Sequence, residues 1–145
     1  MYGDGIHMRH LLDDMQAAAD ELGSSNDEIA GLGERLIAAI HDLEAATDWI
    51  METLAAGNPN DWASGATDYL RMLGVTAGGY LMARGALAAK QRLARNDEDQ
   101  EFLNAKIATA RFYGDYVLPR AGALLGPATR GAELLFAIEP EHMTG

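Results

Sequence analysis

Lys106-Ile107-Ala108-Thr109-Ala110-Arg111-Phe112-Tyr113 carries the most telling pattern in the chain. It lies inside a long helical pattern, yet sets a lysine, a threonine, an arginine and a tyrosine among apolar residues. On a helix, Lys106, Thr109 and Tyr113 lie near one face, because residues three and four apart are neighbours. Ile107 and Ala110 form an adjoining apolar stripe, and Arg111 falls on the far side of Ile107. Two readings are open. In the plain one this is an amphipathic helix whose Lys106 and Arg111 reach to water along apolar stems. In the sharper one it is a buried or interfacial polar cluster, paired with charges on neighbouring helices.

Outward from the octet, a helix is predicted from about Glu98, with Leu103, Ile107, Ala110, Val117, Ala121 and Leu124 on its apolar side. Pro119 lacks an amide hydrogen and crowds the preceding turn, so a bend is expected there. Pro127 marks a second bend, or a break after Gly126. The last apolar segment runs to about Ile138, and Glu139-Pro140 ends it.

Upstream, Lys90, Arg92 and Arg95 give way to Asn96-Asp97-Glu98-Asp99. Cations suit a helix C-terminus and anions an N-terminus, so this reversal marks a helix–turn–helix connection. Gly57-Asn58-Pro59 is the clearest break, with proline fitted to a first helical turn. Between these points a third helix is predicted, apolar at Trp62, Tyr69, Leu70, Leu73, Ala77, Tyr80, Leu81 and Leu87. It also holds Gly65, Gly74, Gly78, Gly79 and Gly85. Interior glycines cost about 0.8–1.0 kcal/mol each relative to alanine. Five of them require compensation, most simply a neighbouring backbone packed close, though Gly78-Gly79 could also mark a kink.

A second helix follows Ser25-Asn26-Asp27-Glu28, which has the pattern of a capping box. Its stripe is Ile29, Leu36, Ile40, Leu43, Thr47, Ile50 and Leu54, interrupted by Thr47. A first helix spans about Gly5 to Leu22. No strand-like alternation and no internal repeat appears. The expected fold is all-α: an up-down antiparallel bundle of three long helices plus a shorter leading helix, as one domain over residues 1–145.

The 145-residue chain carries a formal net charge of −11, which argues against a nucleic-acid partner. It has no cysteine, so no disulfide, thiolate metal site or cysteine nucleophile is available. The longest uncharged mid-chain stretch, Met72 to Ala83, is too short to span a membrane. No membrane partner and a cytoplasmic location are expected.

Chemistry-bearing spacings are sparse. His7, His10 and Asp14 have helical spacing that could hold a metal, but they sit near a terminus. Glu139 and His142 have Glu-x-x-His spacing, but a di-iron bundle needs two such pairs and two further glutamates. Gly-rich phosphate-loop spacing is absent. No catalytic, cofactor-binding or metal residue is therefore assigned. What remains is a network in which Asp48, Arg71, Lys106 and Arg111 could meet.

Together with Ala46-Thr47-Asp48-Trp49, Gly65-Ala66-Thr67 and Tyr69-Leu70-Arg71, the octet resembles the C-terminal helical domain of one branch of the acyl-CoA dehydrogenases. These long flavoenzymes of fatty acid metabolism carry an extra helical module after the usual core. The resemblance runs from about Gly3 to about Glu139, and places the first helix where the chain leaves the catalytic domain. It implies a parent that dehydrogenates acyl-CoA with FAD and a glutamate base. The matching β-domain, flavin-contacting segments and base motif are not in these residues. By resemblance, the positions with a structural or interface role are Asp48, Trp49, Tyr69, Arg71, Gly78, Gly79, Lys106, Arg111, Phe112 and Tyr113. The implied partners are the dehydrogenase core domain and a second copy of the chain. The alternative is a free-standing helical-bundle interaction protein that self-associates.

Overall fold

The computed structural model describes residues 5–25, 28–95 and 99–142. All regular structure among them is helical: α1 (Ile6–Gly23), α2 (Ala30–Ala55), α3 (Pro59–Ala94), α4 (Gln100–Tyr116) and α5 (Pro119–Ala128). Two short 3-10 turns follow, at Glu133–Phe136 and Pro140–His142.

The expected count of long helices needs correction at Pro119. The C-terminal helix is not one bent rod but two helices, α4 and α5. Pro119 offers no amide hydrogen, and the chain adjusts one turn earlier: the Tyr113 carbonyl accepts from both Val117 (2.9 Å) and Leu118 (3.0 Å). Helical bonding then restarts through Arg120 and Ala121, which donate to Val117 and Leu118. The leading helix, at 18 residues, is also no shorter than the 17-residue α4. Pro127 does not end α5 at Gly126; the helix closes one residue beyond the proline.

The boundaries follow local chemistry. Gly57 takes φ +77°, Asn58 sits in the cap position and Pro59 opens α3. Asp99, itself at φ +72°, caps α4 by accepting from the Phe102 amide (3.4 Å). α2 begins at Ala30, with Ile29 in the cap position, and the expected capping box falls partly outside the described residues. Asn26 and Asp27 lie outside the described residues, as do 96–98 of the acidic run.

α2 and α3 each pack against all four other helices. The core is built from Met15 and Leu22 of α1, Leu36 and Leu43 of α2, Met72 of α3, Leu103 of α4, and Leu118, all fully buried. Burying a leucine- or methionine-sized side chain stabilises by about 1.5–3 kcal/mol.

Three of the five α3 glycines answer to close packing. A Cβ at Gly65 would overlap the Ala128 carbonyl oxygen of α5, with the Ala128 carbonyl carbon at 2.7 Å. At Gly78 it would collide with the Tyr113 hydroxyl, and at Gly79 it would lie 2.5 Å from the Leu118 side chain. At Gly74 and Gly85 a Cβ would meet nothing within 4 Å, so the expectation of close neighbours fails there.

Candidate docking surface

The ten residues singled out by sequence fall into two groups, one buried between helices and one on the surface. Tyr69 and Tyr113 anchor the first. The Tyr69 hydroxyl lies 2.9 Å from Thr47 Oγ1, and Thr47 Oγ1 donates to the Leu43 carbonyl at 2.7 Å. A threonine hydroxyl has one hydrogen. Tyr69 is therefore the donor to Thr47, and the chain of bonds runs Tyr69 to Thr47 to Leu43. This accounts for the polar residue interrupting the α2 stripe: Thr47 is buried and holds α2 to α3.

Tyr113 reaches from α4 across α3. Its hydroxyl donates to the Val75 carbonyl at 2.9 Å. Gly78 makes this possible, because any side chain there would occupy the ring's path. Desolvation by burial pushes the Tyr113 hydroxyl above its ordinary pKa. Gly79 admits Leu118 in the same way, so Gly78-Gly79 seats two side chains on a continuous helix. Trp49 is half-buried, and its carbonyl accepts from Thr53 Oγ1 at 2.7 Å.

The proposed meeting of Asp48, Arg71, Lys106 and Arg111 does not occur. Asp48 pairs with Arg9 at 3.4 Å, and Arg71 with Asp68 one turn earlier at 3.4 Å. Arg111 pairs with Glu28 at 2.7 Å, and the Lys106 ammonium stands 5.0 Å from the centre of the Phe102 ring. The physical reason is solvation: each ion extends into water and takes its nearest partner, which avoids the desolvation that burying four charges would require. The snorkelling reading of the octet holds for Lys106 and Arg111, while its tyrosine is half-buried between helices.

To these four ions the surface group adds one apolar member, Phe112. On α4, Phe112 and Tyr116 stack with centroids 4.7 Å apart, and both are more than half exposed. Beyond α5, Leu134, Leu135, Phe136 and Ile138 are likewise exposed. This last apolar segment is tethered at its start, where the Ala132 amide donates to Asp61 Oδ1 at 2.9 Å. Sequence reading also missed close approaches at Gly33, against the end of α1, and at Gly114, against Leu32. Nothing but their glycine identity signals them.

Residues 11–139 match the family described as acetyl-CoA dehydrogenase C-terminal like. The chain belongs to this family. It is also 32% identical over 119 residues to the 3-methylmercaptopropionyl-CoA dehydrogenase of Ruegeria pomeroyi. That match covers 82% of this chain and 20% of the enzyme, so the chain spans about a fifth of its relative's length.

Among the described residues, this family member shows no evident site for the FAD that its family suggests for a parent enzyme. A flavin dinucleotide needs a diphosphate cradle, commonly a helix N-terminus. A depression of about 310 Å³ at the N-terminus of α3 is bordered by the carboxylates of Asp61 and Glu133, and one of about 510 Å³ beside Gly126, Thr129 and Arg130 lies at the C-terminus of α5, where the helix dipole repels anions. The depression of about 300 Å³ between α1 and α3 is bordered by the carboxylates of Asp14 and Glu21. Among the described residues, no three His, Asp or Glu side chains group to hold a metal, and no helix is long and apolar enough to cross a membrane.

Proposed function

We propose that this chain is the accessory C-terminal module of an FAD-dependent acyl-CoA dehydrogenase. It gives structural support and a docking and dimer surface, and is not catalytic alone. The observation that carries this reading is the family match across residues 11–139. The exposed Phe112–Tyr116 pair and the Leu134–Ile138 stretch support a docking role, since apolar side chains grouped on a surface mark interaction sites.

In this reading the helices form one domain, an up-down antiparallel bundle. Arg9 meets Asp48 while Gly33 meets the end of α1, consistent with opposed directions for α1 and α2. Gly65 meets Ala128 while Gly79 meets Leu118, which supports the same for α3 and α5. The interface roles of Asp48, Trp49, Arg71, Lys106 and Arg111 belong to this proposal too. So does a cytoplasmic setting, as a chain without cysteine needs no oxidising compartment.

The test has two arms. The purified chain is incubated with FAD, gel-filtered and assayed for acyl-CoA oxidation with an artificial electron acceptor. It is expected to emerge colourless and inactive. The chain is then added to an acyl-CoA dehydrogenase core lacking its own C-terminal module, and the core's melting temperature is expected to rise. Stoichiometric flavin on the chain alone, or a core indifferent to it, would overturn the reading.

A further inference from the structure

The start of α1 and the stretch after α5 lie at the same end of the molecule. A Cβ added at Gly5 would lie 3.5 Å from the Met51 methyl of α2, and Arg9 pairs with Asp48 one turn earlier on that helix. α2 closes at Ala55 and α3 opens at Pro59, so the turn between them is at this end too. After α5 the chain returns to the first turn of α3, where Asp61 Oδ1 accepts from the Ala132 amide at 2.9 Å. Asn58, Pro59 and Phe136 border one depression there.

Apolar side chains are left in water at this end. Ile6 and Leu54 are 49% and 46% exposed, and Leu134, Leu135, Phe136 and Ile138 between 57% and 66%. Three of these follow one another in the 3-10 turn Glu133–Phe136, and none is buried within the chain. The stretch is nonetheless fixed at its root. Gly131 takes φ +78°, a left-handed turn, and Asp61 holds the next amide. Grouped apolar side chains held out on a surface mark an interaction site.

We propose, building on the reading of the chain as a C-terminal module, that this end seats on the dehydrogenase core through the Leu134–Ile138 stretch, with Leu54 and Ile6 at the same end. The argument for the core is where it joins. In a protein whose C-terminal part is this module, the core precedes α1 and meets the module at the end where α1 begins. The other exposed apolar residues are remote from that junction: from Pro59 to Leu81 the helix rises about 33 Å.

So small a surface would hold two free proteins together weakly. Attachment changes this, because a short linker supplies an effective concentration of about millimolar order, and a modest apolar contact then closes. Charge sets the rest of the partner's chemistry. Glu52, Glu133 and Glu139 are exposed and flank these side chains along the sequence, so the fitting core surface is apolar with a basic rim.

The test is photo-cross-linking to the core of the Ruegeria pomeroyi relative, cut ahead of the region that this chain matches, at high micromolar concentration. The chain has no cysteine, so Leu135→Cys, Leu81→Cys and Phe112→Cys variants each carry a single benzophenone maleimide. All three positions are exposed, and circular dichroism should show the fold unchanged. The label at Leu135 is expected to link to the core about tenfold more than the label at Leu81 or Phe112. Adding Phe136→Asp to the Leu135→Cys chain should cut that yield about tenfold, again with an unchanged spectrum. Equal or greater linking from Leu81 or Phe112 overturns the choice of this end and leaves a module docked by another face. So does the absence of a link from Leu135 while the core's melting temperature rises. Linking of Leu135 to a second copy of the chain instead overturns the core as occupant. No link from any position, with a core whose melting temperature does not move, overturns the C-terminal module reading as well.

Discussion

Glycine-to-alanine changes at two positions of α3 should have opposite signs. Gly65 and Gly74 both lie inside one helix, and alanine is favoured over glycine there by about 0.8–1.0 kcal/mol when space allows. At Gly74 space is open, so Gly74→Ala should stabilise by about that amount. At Gly65 the new methyl would overlap the Ala128 carbonyl oxygen and lie 2.9 Å from Ala128 Cα. These are backbone atoms, with no flexible side chain to swing aside. Overpacking of a core costs about 1–3 kcal/mol, and a rigid backbone contact should fall at the upper end. After subtracting the propensity gain, Gly65→Ala should lose about 2 kcal/mol. At this chain length 1 kcal/mol moves the melting temperature by about 2–4 °C. Gly65→Ala should therefore melt about 4–8 °C lower, and Gly74→Ala about 2–4 °C higher, followed by circular dichroism at 222 nm. Equal shifts, or a Gly65→Ala variant as stable as the parent, would refute the close α3–α5 approach.

Three other outcomes follow from single side chains. The Thr76 hydroxyl is fully buried without a partner, so Thr76→Val should raise stability by about 1 kcal/mol in urea titrations. Tyr113→Phe removes the bond to Val75 and should lower stability by about 1 kcal/mol. Because burial raises the folded-state pKa of Tyr113, its protonated form stabilises fully below pH 10. That contribution is lost as pH rises through the folded value, and a tyrosinate absorbance titration should show a late component that Tyr113→Phe abolishes. Asp48→Ala and Arg71→Ala break exposed ion pairs and should each change stability by less than about 1 kcal/mol, a change that salt reduces further.

The helices themselves were readable because their signals are local. Gly57-Asn58-Pro59 ends one helix and starts the next through backbone geometry alone, and the apolar spacing of Leu36, Ile40 and Leu43 marks a buried face. The partners of polar residues were not readable in this way. Asp48 and Arg71 carry no mark of whether they meet each other or, as they do, Arg9 and Asp68. That choice depends on which side chains reach water first, a property of the assembled surface. Thr47 was legible as an anomaly but not as half of a hydrogen bond, because its partner lies 22 residues away on another helix. The octet gave the correct shared face for Lys106, Thr109 and Tyr113. The depth at which each sits follows from α3, where Gly78 lets Tyr113 in and the surface holds Lys106 out.

The one-way bond from Tyr69 through Thr47 to Leu43 has a consequence for how this pair can change over time. If Tyr69 becomes phenylalanine first, Thr47 keeps its own hydrogen bond and loses only an optional donor. If Thr47 becomes valine first, the tyrosine is left with a hydroxyl hydrogen and no acceptor. A lineage can shed the tyrosine and then the threonine, each step nearly silent. The reverse order passes through an intermediate whose tyrosine hydroxyl has lost its acceptor, so divergence at this helix pair has a preferred direction.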